Sequence, residues 1–363
     1  MSERTPLYEE HKKLNARLVE FGGWEMPLMY TTIIDEHTAV RTKAGIFDAS
    51  HMGEFTITGK EAENFLGRVT VTDVRTLAPY QAKYSFFLNE KGGVIDDLII
   101  YKRAEHDYFL VVNAGNARKD FDWLLKNKPA GAVLENLSDK LSLIALQGPD
   151  SRKILLQLKD GLDLSSMKYY SFVPAKLERL SGGLIKEEDV MIAHTGYTGE
   201  DGCEIILAND FAPAVWRRLI ELGAKPCGLG ARDSLRLEAA MPLHGHDLNE
   251  SITPLEAGLG WAINWEHDFI GKPVLFKQKE SGLTRFFKCF ILENGIAREN
   301  SEIIHGSKTI GKVSSGGFSP TLKKAICMGY VSENLETGAK VDIIVHGQPR
   351  KAEVVKRPFY KRK

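Results

Sequence analysis

Cysteine is scarce. The 363-residue chain has four, Cys203, Cys227, Cys289 and Cys327, with no C-x-x-C pair among them. That spacing argues against a disulfide framework or a zinc site and fits reduced core thiols. No stretch approaches the ~18 apolar residues that a membrane helix needs. A net charge is missing too: Lys+Arg and Asp+Glu balance at 48 each. The composition therefore offers no basic field to make nucleic acid the main partner. The opening segment, MSERTPLYEEHKKLNARL, lacks the apolar core of a secretory signal and carries acids that a mitochondrial transit peptide avoids. Together these absences predict a cytoplasmic protein with no membrane anchor. Two N-x-S matches, at Asn136 and Asn249, mean nothing without secretion.

Several chemical signatures are also lacking. GEFTITGKE is one residue too long for a phosphate-binding loop and has no Ser or Thr after its Lys. GLGARDS lacks the third glycine of a dinucleotide fingerprint and follows no clear strand. There is no G-x-S-x-G elbow and no obvious Cys–His nucleophile pair. HGHD, His244 to Asp247, tempts a metal reading, but no further ligand lies at a workable spacing. A turn with satisfied histidines is the expectation, with neither metal nor nucleotide bound.

What is present is the material of a globular α+β protein. Hydrophobic residues make up 43%, and the length suggests two or three domains. Thr5-Pro6 and the spacing of Leu7, Leu14 and Leu18 predict a helix over 6–19. A second helix is expected over 32–43, ending at Gly45. GEFTITG reads as a strand and KEAENFLGRV as a helix. AKYSFFLNEKGGVIDDLIIYKRAEHDYFLVVNAG reads as three strands joined by tight turns, followed by a helix over NARKDFDWLLKN. LSLIALQG, PDSRKILLQL, DVMIAHTGYTGEDGCEIIL and DFAPAVWRRLIEL repeat a similar order of strand, helix, two strands and helix. After about residue 280, FKCFILE, SEIIHG, KTIGKVSSGG, KAICMGYVS and AKVDIIVHG predict a small β-barrel or sandwich, with its boundary near KQKESGLTR.

Two acids interrupt an otherwise apolar strand, VIDDLIIY. Neighbours on a strand point to opposite faces, so Asp96 and Asp97 form no catalytic dyad and each needs its own partner. A capped turn and a buried ion pair would explain them without any function, since structural pairs also perturb carboxylates. The turn in HTGYTGEDGCEI is either a tight hairpin or a backbone that approaches a ligand, with Tyr197, Glu200 or Glu204 facing it. In GARDSLRLEA, Arg232 lies at the start of a predicted helix, and an ion pair is its structural reading.

These segments weigh together. TPLYEEH, FGGWEMPLMY, DEHTAVRTKAGIFDASHMGE, GGVIDDLIIY, HTGYTGEDGCEI, GLGARDSLRLEA and TPLEAGLGWAI resemble, in the same order, segments of the glycine cleavage T-protein family. These are folate-dependent aminomethyltransferases, and the match runs over essentially the whole chain. The resemblance implies three domains around a central folate channel. Two are intertwined, ferredoxin-like α+β domains: 1–50 with about 135–170 and 225–280, and about 51–134 with 171–224. The third is an antiparallel β-barrel over 281–363.

The family reaction implies a lipoyl-bearing H-protein and tetrahydrofolate as partners. The one-carbon unit passes from aminomethyl-dihydrolipoyl H-protein to the folate, giving 5,10-methylenetetrahydrofolate, ammonia and the reduced carrier. By the same resemblance Asp97 is the catalytic acid and Asp96 is structural. Glu204, rather than Glu200, accepts the parallel donors of the pterin edge. Tyr197 and Trp261 line the folate pocket, Arg232 contacts the folate, and Met52 and Asn113 are further pocket positions. The tail KRPFYKRK aligns less well. Tyr360 or Arg362 would supply a folate contact there, against a solvated basic tail or an attraction for the acidic H-protein, and the solvated tail ranks first.

Two other readings share the fold. Folate-binding proteins of iron–sulfur or tRNA maturation resemble K-G-C-Y-x-G-Q-E near HDFIGKPVLFKQK, and this chain lacks that motif while keeping Asp97. Sarcosine-type oxidases carry a flavin domain with a dinucleotide fingerprint, absent here. Stand-alone folate-dependent demethylases remain open.

Overall fold

The computed structural model describes residues 2–159, 161–181 and 184–362. The chain begins with α1 (Tyr8–Lys13), β1 (Arg17–Phe21), β2 (Trp24–Met29), α2 (Ile33–Thr42), β3 (Gly45–Asp48) and β4 (Gly53–Thr58). It continues through α3 (Ala62–Val69), β5 (Ala82–Leu88), β6 (Val94–Ala104), β7 (Asp107–Val112) and α4 (Ala117–Asn127). Next come β8 (Val133–Asn136), β9 (Leu141–Gln147), α5 (Ser151–Leu158), β10 (Phe172–Ser181), β11 (Leu184–Ala193), β12 (Gly202–Ala208) and α6 (Ala212–Glu221). Then follow β13 (Lys225–Pro226), α7 (Leu229–Glu238) and α8 (Lys272–Ser281). The strands β14 (Phe286–Leu292), β15 (Glu302–His305), β16 (Lys308–Ser319), β17 (Lys324–Val331), β18 (Lys340–Val345) and β19 (Gln348–Val355) complete the order.

The first helix is shorter than its leucine spacing predicts. Asn15 takes a left-handed φ of 53°, which ends α1 and lets Arg17–Phe21 pair antiparallel with β2. Leu7 is buried, but Leu14 is exposed, so the apolar stripe is not continuous. Thr5 does not cap the helix. Its hydroxyl donates to the buried Asp48, 2.6 Å away, beside His11 at 2.8 Å. Seven strands went unread in the sequence, β1, β2, β3, β8, β10, β13 and β19, and KQKES belongs to α8.

The chain divides into two compact units. The first comprises Met1–Phe65, Val74–Tyr84 and Leu98–Arg232; the second comprises Leu66–Asp73, Ser85–Asp97 and Asp233–Lys363. The first unit contains a six-stranded sheet in the order β10-β11-β12-β9-β3-β13. Its alternation is strict. Ile46, Ile144, Leu146, Ile192, Cys203, Ile205 and Leu207 form one face, with Val215, Trp216 and Leu219 of α6 in the same core. Phe47, Ala145 and Glu204 occupy the other face, since Phe47 and Glu204 both pair with Ala145. Both outer strands contain a proline, Pro174 in β10 and Pro226 in the two-residue β13.

A second sheet runs β5-β6-β7-β4-β8. Phe55 of β4 meets Phe121 of α4, with ring centroids 5.3 Å apart. Glu54 therefore points to the opposite face. The register Glu54↔Val111 and Ile99↔Val111 puts it on the same face as Ile99 and Tyr101.

The second unit contains a closed six-stranded barrel, β14-β17-β16-β15-β18-β19. Closure comes from β14, which pairs with both β17 and β19. Phe290, Ile303, Val313, Cys327, Ile343 and Val354 are among the residues of its core. Arg236 of α7 donates to Asp247 at 2.8 Å and to Ser315 at 3.0 Å. Asp247 also accepts from Ser314, Ser315 and the Leu243 N–H. The acid of HGHD is thus an anchor between a helix and the barrel. Among the described residues no group of three or more His, Cys, Asp or Glu could hold a metal ion.

The basic tail is less free than a solvated tail would be. Arg357 donates to the carbonyls of Ala240 and Ala257 at 3.1 and 2.8 Å, and the Tyr360 N–H donates to Glu238 O at 2.9 Å. Phe359 packs against a cluster that includes Leu237, Ile326 and Met328. Lys361 and Arg362 are exposed.

Candidate functional site

The acids of β6 are placed by the hairpin before them. Asn89 closes the turn with Gly92 and Gly93, and its side chain reaches Glu250 O at 2.9 Å. Val94 N–H lies 3.0 Å from Ile252 O. A Cβ at Gly93 would fall 1.8 Å from Glu250 O, so only glycine fits this approach. The strand starts in a fixed register, and that register sets which acid points where. Asp96 is completely buried, with His244 Nδ1 3.9 Å from its carboxylate, whereas Asp97 remains partly accessible.

Only an accessible acid can meet a substrate without rearrangement. Asp96→Asn is accordingly expected to lower the melting temperature, at a cost of about 1–3 kcal/mol for disturbing a buried polar group, and to leave kcat nearly unchanged. Thermal melts beside steady-state kinetics check this. A large drop in kcat with an unaltered melt would reverse the roles.

In the first unit, chemistry gathers around the turn between β11 and β12. Gln147, fully buried at the end of β9, is its centre. Its amide donates to Thr195 O at 3.1 Å and to Cys203 O at 3.4 Å, and it accepts from Thr198 Oγ1 at 2.8 Å. A Cβ at Gly196 would sit 2.0 Å from Gln147 Oε1. Glycine at this position thus serves a close approach to a glutamine side chain. Glu200 is tied down separately, with its carboxylate 2.9 Å from Arg41.

Glu204 of β12 is half-buried and accepts from Thr195 Oγ1 at 2.5 Å. Burial raises its pKa, and the Thr195 hydroxyl and the Arg232 charge pull the other way. Arg232, in the first turn of α7, stacks over Tyr197 with 4.9 Å from guanidinium carbon to ring centroid. Burial lowers the pKa of Arg232, and Glu204 opposes that shift. Beside Arg232, His51 is pushed down to about 4 by burial and by the Arg232 charge, so it is neutral at pH 7. Tyr101 Oη is buried beside Thr195 and Glu204, and burial pushes its pKa well up, with the Thr195 hydroxyl pulling the other way.

A carboxylate, a guanidinium and a phenol ring in this order suit a flat, polar ligand. Glu204 has acceptor sites left for two parallel N–H donors, and Tyr197 and Arg232 provide stacking surface and positive charge. These groups fit a pterin.

Of the residues named from the sequence, Met52, Asn113, Tyr197, Glu204 and Arg232 belong to the first unit. Met52 and Asn113 are partly accessible. Asp97, Trp261, Tyr360 and Arg362 belong to the second. Trp261 is 63% exposed, unusual for so large an aromatic. Sequence reasoning missed Thr195, Gln147, Tyr101 and His51. Thr195 lies inside the quoted turn, and His51 inside a quoted segment. Gln147 and Tyr101 carried no signal beyond a polar atom at the end or face of an apolar strand.

Glu54 is a different case. It is fully buried, and neither carboxylate oxygen has a hydrogen-bond partner among the described residues. Burial raises its pKa well above the usual 4.5, so the folded state favours the protonated acid. Below the unfolded pKa the group costs nothing through ionisation. Above it, stability is lost as pH rises, by about 1.4 kcal/mol per pH unit until the folded pKa is reached. Glu54→Gln removes that loss. Its melting temperature is expected to exceed that of the unmodified chain by a margin that grows from pH 5 to pH 8. A margin independent of pH would mean that the carboxyl has found a partner.

Comparison with known proteins gives the family of the chain. The GCVT N-terminal domain matches residues 7–267, and the glycine cleavage T-protein C-terminal barrel domain matches 285–361. An aminomethyltransferase of Caldanaerobacter subterraneus is 44% identical, with 99% of this chain and 96% of that protein covered. The aminomethyltransferase of Bacillus subtilis is 42% identical over the full length of both. The crystal structure of glycine cleavage system aminomethyltransferase T from Bartonella henselae superposes with a TM-score of 0.90 at 33% identity, covering 99% of each chain. Matches of this extent, over both the α+β part and the barrel, make the chain a member of the glycine cleavage T-protein family.

Proposed function

We propose that this chain is the aminomethyltransferase of a glycine cleavage system. It takes the one-carbon unit from aminomethyl-dihydrolipoyl H-protein and transfers it to tetrahydrofolate. The products are 5,10-methylenetetrahydrofolate, ammonia and dihydrolipoyl H-protein. The observation that carries the reading is Glu204, gripped by Thr195 and facing an Arg232 that stacks on Tyr197.

In this reading the folate supplies the nucleophilic nitrogen, and the chain supplies orientation and charge. Glu204 accepts the amide N–H and amino group of the pterin edge. Tyr197 and Trp261 pack against the flat rings, and Arg232 holds the polar body of the folate. Met52 and Asn113 shape the pocket, and Tyr360 or Arg362 adds a contact from the tail. Asp97 orients the reacting groups, accepts a proton and stabilises developing positive charge, which a partly desolvated carboxylate does well. The three-domain division with two interleaved α+β domains belongs to the same reading. So do H-protein as the docking partner and the cytoplasm as the place of work. Among the described residues no helix is long and apolar enough to cross a membrane.

The deciding experiment measures ammonia release from aminomethyl-loaded H-protein with and without tetrahydrofolate. Rapid release that needs both this chain and the folate, with methylene-folate formed, is the expected result. Folate binding without stimulated release would overturn the transferase reading in favour of a demethylase or a folate-binding protein.

A further inference from the structure

Glu204 does not hold its own position. As a side chain on the edge of a ligand site, it has rotamers to choose from, and only some present both oxygens to a ligand. The structure limits that choice from behind. Thr195 is buried, and its hydroxyl is spent as a donor to Glu204 Oε2. The backbone carbonyl of the same Thr195 is gripped by the Gln147 amide, which also binds Cys203 O, the carbonyl next to Glu204 in sequence. Gln147 thus joins the two arms of the turn, one bearing Thr195 and the other bearing Glu204. Thr198 orients the glutamine by donating to its oxygen.

We infer that Thr195, fixed by Gln147, is a positioning residue that sets the specificity of folate recognition by aiming the Glu204 carboxylate. A hydroxyl that donates to Glu204 occupies one acceptor site and leaves the outer sites for a ligand with two adjacent N–H donors. It also favours the ionised acid, the form that can only accept. Ligands that present an acceptor, or one donor in place of two, leave a carboxylate oxygen unmatched and are rejected. The inference rests on Glu204 as the pterin-binding acid.

The test uses the full-length protein and three variants, Thr195→Val, Thr195→Ser and Glu204→Gln. Thr195→Val keeps the shape of the side chain and removes the donor. It is expected to raise the dissociation constant for tetrahydrofolate about tenfold, as loss of one charge-assisted hydrogen bond would, with kcat at saturating folate within about twofold. The preference for tetrahydrofolate over an analogue lacking the 2-amino group should shrink by a similar factor. Thr195→Ser should restore both. The acid limb of folate binding should also move to higher pH in Thr195→Val, since the hydroxyl lowers the Glu204 pKa. Arg232 from α7 and Tyr101 from β6 also face this carboxylate, and Tyr197 from the turn lies against Arg232; all three are unchanged in the variant.

Unchanged affinity, analogue preference and pH limb in Thr195→Val would overturn the inference while leaving Glu204 in place, provided Glu204→Gln still weakens binding. If Glu204→Gln binds folate normally, the pterin role of Glu204 falls first and this inference with it. If Thr195→Val misfolds, Thr195→Ser decides alone: its hydroxyl can still donate, and a tenfold loss in it would refute the hydroxyl as the determinant.

Discussion

Asp97→Asn is expected to fold like the unmodified chain and to lose between about a hundredfold and ten-thousandfold in kcat, the range over which a positioned acid or base contributes. The amide matches the carboxylate in shape and removes its charge and its basicity. Asp97 is partly accessible, in contrast to its buried neighbour Asp96, and the amide is of the same size, so the change leaves no cavity. Stability should therefore be preserved, and folate affinity should move little. Circular dichroism melts, calorimetric folate binding and ammonia release from loaded H-protein test the three parts separately. Near-normal transfer by Asp97→Asn would remove this residue from the mechanism. Loss of folate binding equal to the loss of turnover would make it a binding residue.

Glu204→Gln carries the second large effect. Replacing the carboxylate with an amide gives up two charge-assisted hydrogen bonds and sets an NH2 donor against a ligand donor. Hydrogen bonds to charged groups are worth about 1.5–3 kcal/mol each, so even partial loss should raise the dissociation constant at least tenfold. The same group predicts a pH dependence. Burial raises the Glu204 pKa despite Thr195 and Arg232, and only the ionised form accepts both donors. Folate affinity should hold above that raised pKa and fall as pH drops through it, at a higher pH than an ordinary glutamate would give. In Glu204→Gln this acid limb should disappear. Isothermal titration from pH 4.5 to 8 measures both effects, and equal affinity for the two proteins across the range would end the pterin role.

Much of the architecture was legible in alternation and periodicity. The three strands from Ala82 to Val112 and helices such as α4 and α6 fall where their patterns put them. The misses have physical causes. Leu7, Leu14 and Leu18 fit a helix by spacing, but a left-handed Asn15 stops it. In β19 the residues in the barrel core are Ala352 and Val354, too few and too small to mark a strand. In β10, Lys176 and Glu178 are exposed and Pro174 interrupts the pattern.

The site divides in the same manner. An acid inside an apolar strand and a run of glycines are visible locally, so Asp97 and the turn drew notice. Gln147 acts on Thr195, 48 residues away in sequence, through a contact that only the fold creates. The glycines were noticed for a close backbone approach, and the neighbour that the fold supplies at Gly196 is the Gln147 side chain.

The prolines in β10 and β13 bear on how the protein behaves when concentrated. An outer strand with free N–H groups is a template on which another chain can assemble. Proline has no N–H to offer, and a two-residue strand is too short to seed a ladder. Both flanks of the six-stranded sheet are blunted in this manner, and the barrel has no flank because β14 closes it. Strand-on-strand growth into filaments is thereby discouraged at the largest sheet and at the barrel. A rich β content can then coexist with high working concentrations, as long as the native state is kept.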